Sequence, residues 1–166
     1  MSSTEFTSRR LEEEDQLDDF VSGQAGLDTW LKDSARHADP RRTGRTWVWV
    51  RGHGVVACFT LAGHMIEKAA LLSKLGRGSP ERIPAVLIAK LALRRDLQGK
   101  GLGGVLLADA CHRVVAASEI AAARLAVVDA IDAAAARFYR HVGFADVPGT
   151  MRLVRKISDL ARDTSS

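Results

Sequence analysis

Apolar and polar residues follow one another along the chain with two periods, one typical of strands and one typical of helices. Strands are predicted at residues 6–11, 46–51, 55–65, 84–93, 124–130 and 151–157. Helices are predicted at residues 24–37, from Leu102 onwards, after Asp132 and at 158–162, with a helical turn at 69–75. The runs 84–93 and 124–130 are almost entirely apolar, as expected of buried strands. This order predicts one α/β domain over residues 1–166, with a mixed sheet.

A glycine-rich segment, Gln98–Gly104, joins the run 84–93 to the helix that follows it. Glycines let the backbone turn its N–H groups outward, and the helix dipole adds positive potential there, so the segment is suited to bind a phosphate. It is not a P-loop, because Lys100 is followed by Gly rather than Ser or Thr. It fits the bare dinucleotide pattern Gly-x-Gly-x-x-Gly, but too little chain follows for a Rossmann domain. The glycines alone leave two readings open, another pyrophosphate ligand and a purely structural turn.

Two motifs resemble the GNAT superfamily of acetyl-CoA-dependent N-acetyltransferases. Gln98-x-x-Gly101-x-Gly103 resembles the pyrophosphate loop of that superfamily. The segment 132–144 resembles its Asn-x-x-Ala-x-x-Phe-Tyr-x-x-x-Gly-Phe motif, with Asp132 where Asn is common. The resemblance implies the GNAT fold, a strongly twisted central mixed sheet flanked by helices, and acetyl-CoA as cosubstrate. The residues that it assigns to cofactor binding are Leu91, Ala92, Leu93, Gln98, Gly99, Lys100, Gly101, Leu102, Gly103, Gly104, Asp132 and Phe138.

The same resemblance makes Tyr139 the candidate general acid. An unperturbed phenol has a pKa near 10, so it is protonated at neutral pH and can donate to a departing thiol. The alternative is a core tyrosine that shares an apolar helix face with Phe138. Tyr139 is the only tyrosine of the chain.

Residues near the N-terminus resemble a narrower group, the GNAT-type toxins of bacterial toxin–antitoxin pairs. The group's segment Phe-x-Cys-Gly-x-x-x-Leu-Asn/Asp-x-Trp-Leu is matched at Phe20, Gly23, Leu27, Asp28, Trp30 and Leu31, with Ser22 in place of Cys. These enzymes acetylate the free amino group of the amino acid on charged tRNA and so block translation. The resemblance implies charged tRNA as the substrate, a homodimer, and a cognate antitoxin that is a small DNA-binding protein.

The basic charge of the chain comes mainly from arginine. The net charge is +4, and acidic residues crowd positions 12–19, so the rest of the chain is more basic than the total. That balance favours an anionic ligand such as CoA or RNA; the alternative is that an Arg-rich and Ala-rich composition reflects a GC-rich bacterial genome. The residues expected to contact tRNA phosphates are Arg36, Arg41, Arg42, Arg45, Arg77 and Arg82. For the four arginines between positions 36 and 45, the alternative is a solvated turn.

The composition limits the classes of protein to which this chain can belong. Apolar content of 46% and charged content of 27% are ordinary for a soluble globular protein. No apolar run approaches the roughly 20 residues of a membrane span, and the polar N-terminus does not resemble a signal peptide. Cys58 and Cys111 lie in apolar runs and are expected to be reduced core residues of a cytoplasmic protein. No Cys/His spacing suggests a metal site.

The acceptor amine and the general base are the open points. His64 and Glu67 are possible bases, with a surface role as the alternative. A lysine acceptor would need strong help to deprotonate, whereas an α-amine, with a pKa of about 7.7 to 8.0, needs far less. The lack of a base motif fits an aminoacyl-ester acceptor, and also water-mediated deprotonation. Two other functions stay open: a GNAT enzyme that acetylates a small amine or a protein N-terminus, and a non-catalytic acetyl-CoA-binding regulator.

Overall fold

The computed structural model describes residues 6–165. Its strands are β1 (Arg9–Arg10), β2 (Arg45–Arg51), β3 (Gly54–Glu67), β4 (Arg82–Leu93), β5 (Leu125–Asp129), β6 (Ala145–Asp146) and β7 (Arg152–Lys156). Its helices are α1 (Ala25–Asp33), α2 (Ala35–Ala38), α3 (Ser73–Gly76), α4 (Leu102–Ile120), α5 (Ala133–His141) and α6 (Ile157–Ser165). Short 3-10 helices lie at Lys68–Ala70 and Arg95–Leu97.

The seven strands form one mixed sheet in the order β1-β2-β3-β4-β5-β7-β6. Strands β4 and β5 are parallel, whereas β1–β2, β2–β3, β5–β7 and β6–β7 pair antiparallel. The α/β class with a mixed sheet flanked by helices is therefore confirmed.

Most predicted elements are present, and the differences have local causes. The first strand is only two residues long, and β6 was not predicted, because two residues carry too little pattern to detect. The predicted helix 24–37 is divided at Ser34. The N–H of Ser34 closes the last turn of α1 on the carbonyl of Trp30, and its backbone then leaves the helical region (φ −120°, ψ −28°).

Pairing between β4 and β5 is short. It covers Ala85–Ile88 against Leu125–Val128, and β4 continues for five residues beyond it. Lys90 lies in that continuation with a φ of +56°, a left-handed conformation that is uncommon for a residue with a side chain. The backbone of β4 therefore leaves regular strand geometry just after its pairing with β5 ends.

Contacts group the chain into two compact units, residues 1–62 with 89–110 and residues 63–88 with 111–166, here called the first and second units. The first unit has a core that joins α1 and α2 to β2 and β3, with Leu31, Ala35, Val48 and Cys58 fully buried. The second unit has a core of aliphatic side chains from β3, β4, β5 and β7 together with Leu71 and Leu75. Both cysteines are free and buried, as expected, and burial raises the pKa of each thiol to about 12.

The two tryptophans of β2 differ in their surroundings. Trp49 is buried, and its indole Nε1 donates a hydrogen bond of 2.8 Å to Asp109. Trp47 is only half-buried, stacked on Phe59 and covered by the guanidinium of Arg10. Of the strands in the described part of the chain, only the two-residue β1 lies beyond β2, so Trp47 is close to the sheet edge.

Candidate active site

The loop before α4 has the backbone that its glycines require. Gly99 and Gly101 have φ values of +76° and +77°, which residues with a side chain rarely adopt. Gly103 and Gly104 lie in the first turn of α4 and have no such need, and a Cβ at either would meet no atom within 4 Å. Because glycine inside a helix costs about 1 kcal/mol relative to alanine, the fold itself does not account for these two. The two glycines leave open space over the N-terminus of a 19-residue helix, where the helix dipole favours an anion such as a phosphate.

Gln98 holds this loop to the rest of the first unit. Its side-chain amide donates hydrogen bonds to the carbonyls of Ser22 (2.6 Å) and Leu93 (2.8 Å). Both side-chain N–H donors thus have partners within the protein. Gln98 therefore fixes the position of the loop, whereas Gly99, Lys100 and Gly101 remain exposed.

The segment that resembles the toxin motif is hydrogen-bonded to the start of the glycine loop. Asp28 accepts hydrogen bonds from the backbone N–H (3.1 Å) and the hydroxyl (2.6 Å) of Ser22. The carbonyl of Ser22 in turn receives the amide of Gln98. Gly23 has a φ of +101°, and a Cβ there would come within 3.1 Å of the Arg95 guanidinium. This motif therefore has a structural reason, since it packs against the residues that lead into the loop.

The last residues of β4 directly precede the segment that leads into the glycine loop. Leu91 is half-buried, and Ala92 and Leu93 are buried. The carbonyl of Lys90 accepts from the thiol of Cys58 at 3.3 Å, and the Lys90 ammonium lies 5.2 Å from the ring centroid of Trp30. These contacts hold the left-handed residue in place.

Helix α5 presents Tyr139 in the second unit. Asp132 caps the helix that was predicted to follow it, with its Oδ1 accepting the N–H of Ala135 at 2.8 Å. Tyr139 is 8% exposed, and its ring packs against those of Phe138 (5.4 Å) and Phe144 (6.0 Å). Burial, with smaller contributions from Asp129 and Cys111, raises the pKa of Tyr139 to about 12. Among the described residues, no side chain or backbone group hydrogen-bonds its hydroxyl.

His64 and Glu67, the two possible bases, have different surroundings. The guanidinium of Arg152 donates through Nη1 to Nε2 of His64 at 2.6 Å. Since arginine has no acceptor, that nitrogen carries a lone pair and the imidazole is neutral. Burial, together with the Arg152 cation, lowers the pKa of His64, while Asp129 opposes the change. Glu67 is exposed and pairs with Arg82 at 3.4 Å.

The family of the chain follows from sequence comparison. The model of the acetyltransferase (GNAT) domain matches residues 42–146, which include both the glycine loop and Tyr139. This chain is a GNAT acetyltransferase. It is 33% identical over 140 residues to a tRNA-acetylating toxin of Mycobacterium tuberculosis, and the match covers 84% of each chain.

Solved structures similar to this GNAT acetyltransferase include complexes of a toxin named AtaT. AtaT complexed with acetyl-methionyl-tRNAfMet superposes with a TM-score of 0.88 at 25% identity, covering 96% of this chain and 99% of the other. A tyrosine-to-phenylalanine mutant of AtaT, bound to the C-terminus of the antitoxin AtaR and acetyl-CoA, gives 0.85 at 25% identity, covering 98% and 99%. A KacT mutant gives 0.87 at 21% identity, covering 95% and 98%, which shows the shared GNAT fold.

The arginines expected at tRNA differ in how far they are free to bind a phosphate. Arg45 is bonded to Asp39, and Arg36 donates to the backbone carbonyls of Asp15 and Glu12. Arg41 and Arg42 are exposed, and no ion pair involves them in the range 6–165. Arg36, Arg42 and Arg45 line one open pocket of the first unit, and Arg41 lines another with Trp30 and His37. Arg77 and Arg82 are exposed residues of the second unit.

Two further observations concern metal sites and membrane-spanning helices. In the range 6–165, no three His, Cys, Asp or Glu side chains gather as they would around a metal ion. No helix in that same range is both long and apolar enough to cross a membrane.

The sequence analysis did not predict a cluster of side chains at the end of β5. In this cluster, Asp129 accepts hydrogen bonds from Arg152 Nε (2.8 Å) and Nη2 (3.0 Å).

Proposed function

We propose that this GNAT acetyltransferase is a toxin that transfers the acetyl group of acetyl-CoA to the amino group of aminoacyl-tRNA, which blocks translation. The observation that carries the proposal is the 33% identity to a tRNA-acetylating toxin over 84% of both chains. The complexes of AtaT with acetyl-methionyl-tRNAfMet and with acetyl-CoA support it, because AtaT matches nearly the whole chain.

Acetyl-CoA fits the loop at the start of α4. The backbone N–H groups of Gly99–Gly104 and the helix dipole are proposed to bind the pyrophosphate, and the open space at Gly103 and Gly104 lets it approach the backbone. Lys100 adds an exposed positive charge. The backbone of Leu91–Leu93 holds the pantetheine arm and offers an N–H to the thioester oxygen. Bound there, acetyl-CoA supplies the activated acetyl group.

Asp132 and Phe138 are assigned to the cofactor with less direct support. Asp132 is occupied as the cap of α5, although its second carboxylate oxygen has no partner among the contacts of that cap. Phe138 is half-buried against Tyr139, so its ring can contact the arm only with its exposed part.

Tyr139 acts as the general acid. Its hydroxyl holds a proton throughout the neutral range, since burial raises the pKa to about 12. Its hydroxyl makes no hydrogen bond within the part of the chain described, which leaves the proton free for the departing thiol. The same raised pKa favours an acid over a base, because a buried phenolate would be costly to form.

The acceptor amine needs little help from the protein. An α-amine has a pKa of about 7.7 to 8.0, so a substantial fraction is neutral near pH 7.5 without a strong base. His64 is neutral but its Nε2 is engaged by Arg152, and Glu67 is exposed in an ion pair. Neither has the environment of a general base, so we propose that the proton leaves through water.

Exposed arginines are proposed to bind the tRNA backbone. Arg41 and Arg42 are the leading candidates, since exposed guanidiniums can form forked hydrogen bonds with phosphates. Arg77 and Arg82 are the candidates of the second unit, and Arg36 and Arg45 contribute positive charge while their donors stay on Asp15, Glu12 and Asp39. Such contacts position the substrate and carry no base specificity.

The partners follow from the same relatives. AtaT is bound to the C-terminus of the antitoxin AtaR in one structure, and we propose an antitoxin for this chain as well, a small DNA-binding protein. We further propose a homodimer that acts in the cytoplasm, and one GNAT domain over residues 1–166. The continuity of β3, β4 and α4 through both units supports a single domain.

The test uses purified protein, acetyl-labelled acetyl-CoA and total charged bacterial tRNA, beside the same tRNA after deacylation. The proposal predicts label on charged tRNA only, and none with the Tyr139→Phe variant. If acetyl-CoA binds but charged tRNA stays unlabelled, the proposed substrate is wrong, and small amines or protein N-termini would be tried next.

A further inference from the structure

The cluster at the end of β5 joins three side chains from three strands of the second unit. Asp129 ends β5, Arg152 begins β7, and His64 lies near the end of β3. Arg152 forms two hydrogen bonds with the carboxylate, of 2.8 Å and 3.0 Å, and a third of 2.6 Å with His64 Nε2. Because all the contacts pass through one planar guanidinium, the carboxylate and the imidazole are held in a fixed relation.

The carboxylate of Asp129 has unused binding capacity. A carboxylate accepts about four hydrogen bonds, and within residues 6–165 Asp129 receives two, both from Arg152. Its side chain is 53% exposed. The hydrogen bonds from Arg152 lower the pKa of Asp129, so the group is anionic at neutral pH. A half-exposed anion that is oriented on one side and open on the other is suited to receive N–H donors.

Asp129 lies at the end of β5, next to the point where β4 and β5 stop pairing. Pairing of β4 with β5 ends at Ile88 and Val128, so Asp129 is the first residue of β5 beyond the paired stretch. Helix α5, which carries the proposed general acid Tyr139, begins at Ala133, shortly after Asp129. The negative charge of Asp129 also contributes to the raised pKa of that phenol.

We infer that Asp129 binds the amino group of the acceptor, and that Arg152 and His64 are positioning residues that orient its carboxylate. The inference rests on the proposed function and adds an amine-binding residue to it. The charge of Asp129 attracts an ammonium group, and its oxygens still accept an N–H after the proton has left for water. Neutral His64 accepts from Arg152 without adding a second positive charge that would repel the amine.

A matched pair of variants tests the role of Asp129. Asp146, in β6, is also a surface aspartate paired with an arginine, since Arg140 Nε lies 3.0 Å from both of its oxygens and its side chain is 49% exposed. We compare Asp129→Asn with Asp146→Asn on charged tRNA and on methionine methyl ester, a minimal α-amine ester that needs no RNA contact.

The expected result is a loss of kcat/KM of about 10- to 100-fold in Asp129→Asn on both acceptors, mostly through KM, as removal of a charge-assisted hydrogen bond predicts. Asp146→Asn should match the wild type. Acetyl-CoA affinity and Tm should be unchanged in both variants, and Asp129→Glu, which keeps the charge, should recover part of the loss.

Three outcomes would overturn the inference. Asp129→Asn could be as active as Asp146→Asn, or it could lose acetyl-CoA binding or Tm, which would indicate a structural role. A wild type that acetylates neither acceptor would also overturn it. A wild type that acetylates the ester but not the tRNA refutes the proposed substrate instead, and the two variants are then compared on the ester.

Discussion

The roles proposed for the glycine loop and for the segment around Tyr139 depend on different kinds of group. The proposed role of the loop Gln98–Gly104 depends on its backbone, in which Gly99 and Gly101 have positive φ values. The proposed role of the segment from Asp129 to Tyr139 depends on side chains, namely a buried phenol and a half-exposed carboxylate. The loop should therefore be sensitive to changes in φ, whereas the second segment should be sensitive to the loss of single functional groups.

The largest effect is expected from Tyr139→Phe. Removing a general acid lowers kcat by about 100-fold or more. Acetyl-CoA affinity should be unchanged, because the loop that binds the pyrophosphate keeps its backbone. Steady-state kinetics and calorimetry on the same preparation measure both quantities. A wild-type kcat in this variant would exclude Tyr139 as the acid.

A smaller effect is expected when the loop backbone is changed. Gly101→Ala places a side chain at a φ of +77°, which costs roughly 1–2 kcal/mol, so the Kd for acetyl-CoA should rise about tenfold. Gly149, in the turn before β7, has the same φ and equal space around it. Gly149→Ala introduces the same backbone strain, so it should lower Tm about as much as Gly101→Ala does. It should leave the Kd for acetyl-CoA unchanged. Equal Kd values in the two variants would argue against the loop as the pyrophosphate site.

A weaker effect is expected at the arginines. Arg41→Ala should lower the affinity for tRNA and reduce the slope of log K against log salt by about 1, since one phosphate contact is lost. Arg162, exposed on α6, serves as the control of equal charge. If Arg162→Ala changes the slope as much as Arg41→Ala does, the effect is net charge rather than a contact.

The pKa of Tyr139 can be measured directly, because the chain has one tyrosine. Titration followed by phenolate absorbance should give a midpoint of about 12 in the folded protein. The unfolded protein in denaturant should give a midpoint near 10. Since the folded pKa is the higher one, this group's contribution to stability is present below the unfolded pKa and is lost as pH rises through the folded value. A folded midpoint near 10 would show that the phenol is solvated.

The local features of this site were predictable from sequence. The turn at Gly99 and Gly101 and the start of the helix after Asp132 depend on neighbouring residues, and each was predicted at its position. The strands 84–93 and 124–130 were visible because buried strands are continuous apolar runs.

The long-range contacts were not predictable in the same way. Gln98 reaches Ser22 across 76 positions, and Arg152 reaches His64 across 88. Nothing in the local pattern of an arginine distinguishes one that donates to an imidazole from one that faces solvent. The division of the helix at Ser34 was missed for another reason, since the apolar spacing continues across it to Ala35.

The most direct test of the account is the chemical position of the transferred acetyl group. After reaction with labelled acetyl-CoA, charged tRNA is digested with nuclease and the 3′-terminal aminoacyl-adenosine is analysed by mass spectrometry. The account predicts an acetyl group on the α-amino nitrogen of the amino acid. Label on a tRNA base, or on protein alone, would contradict it.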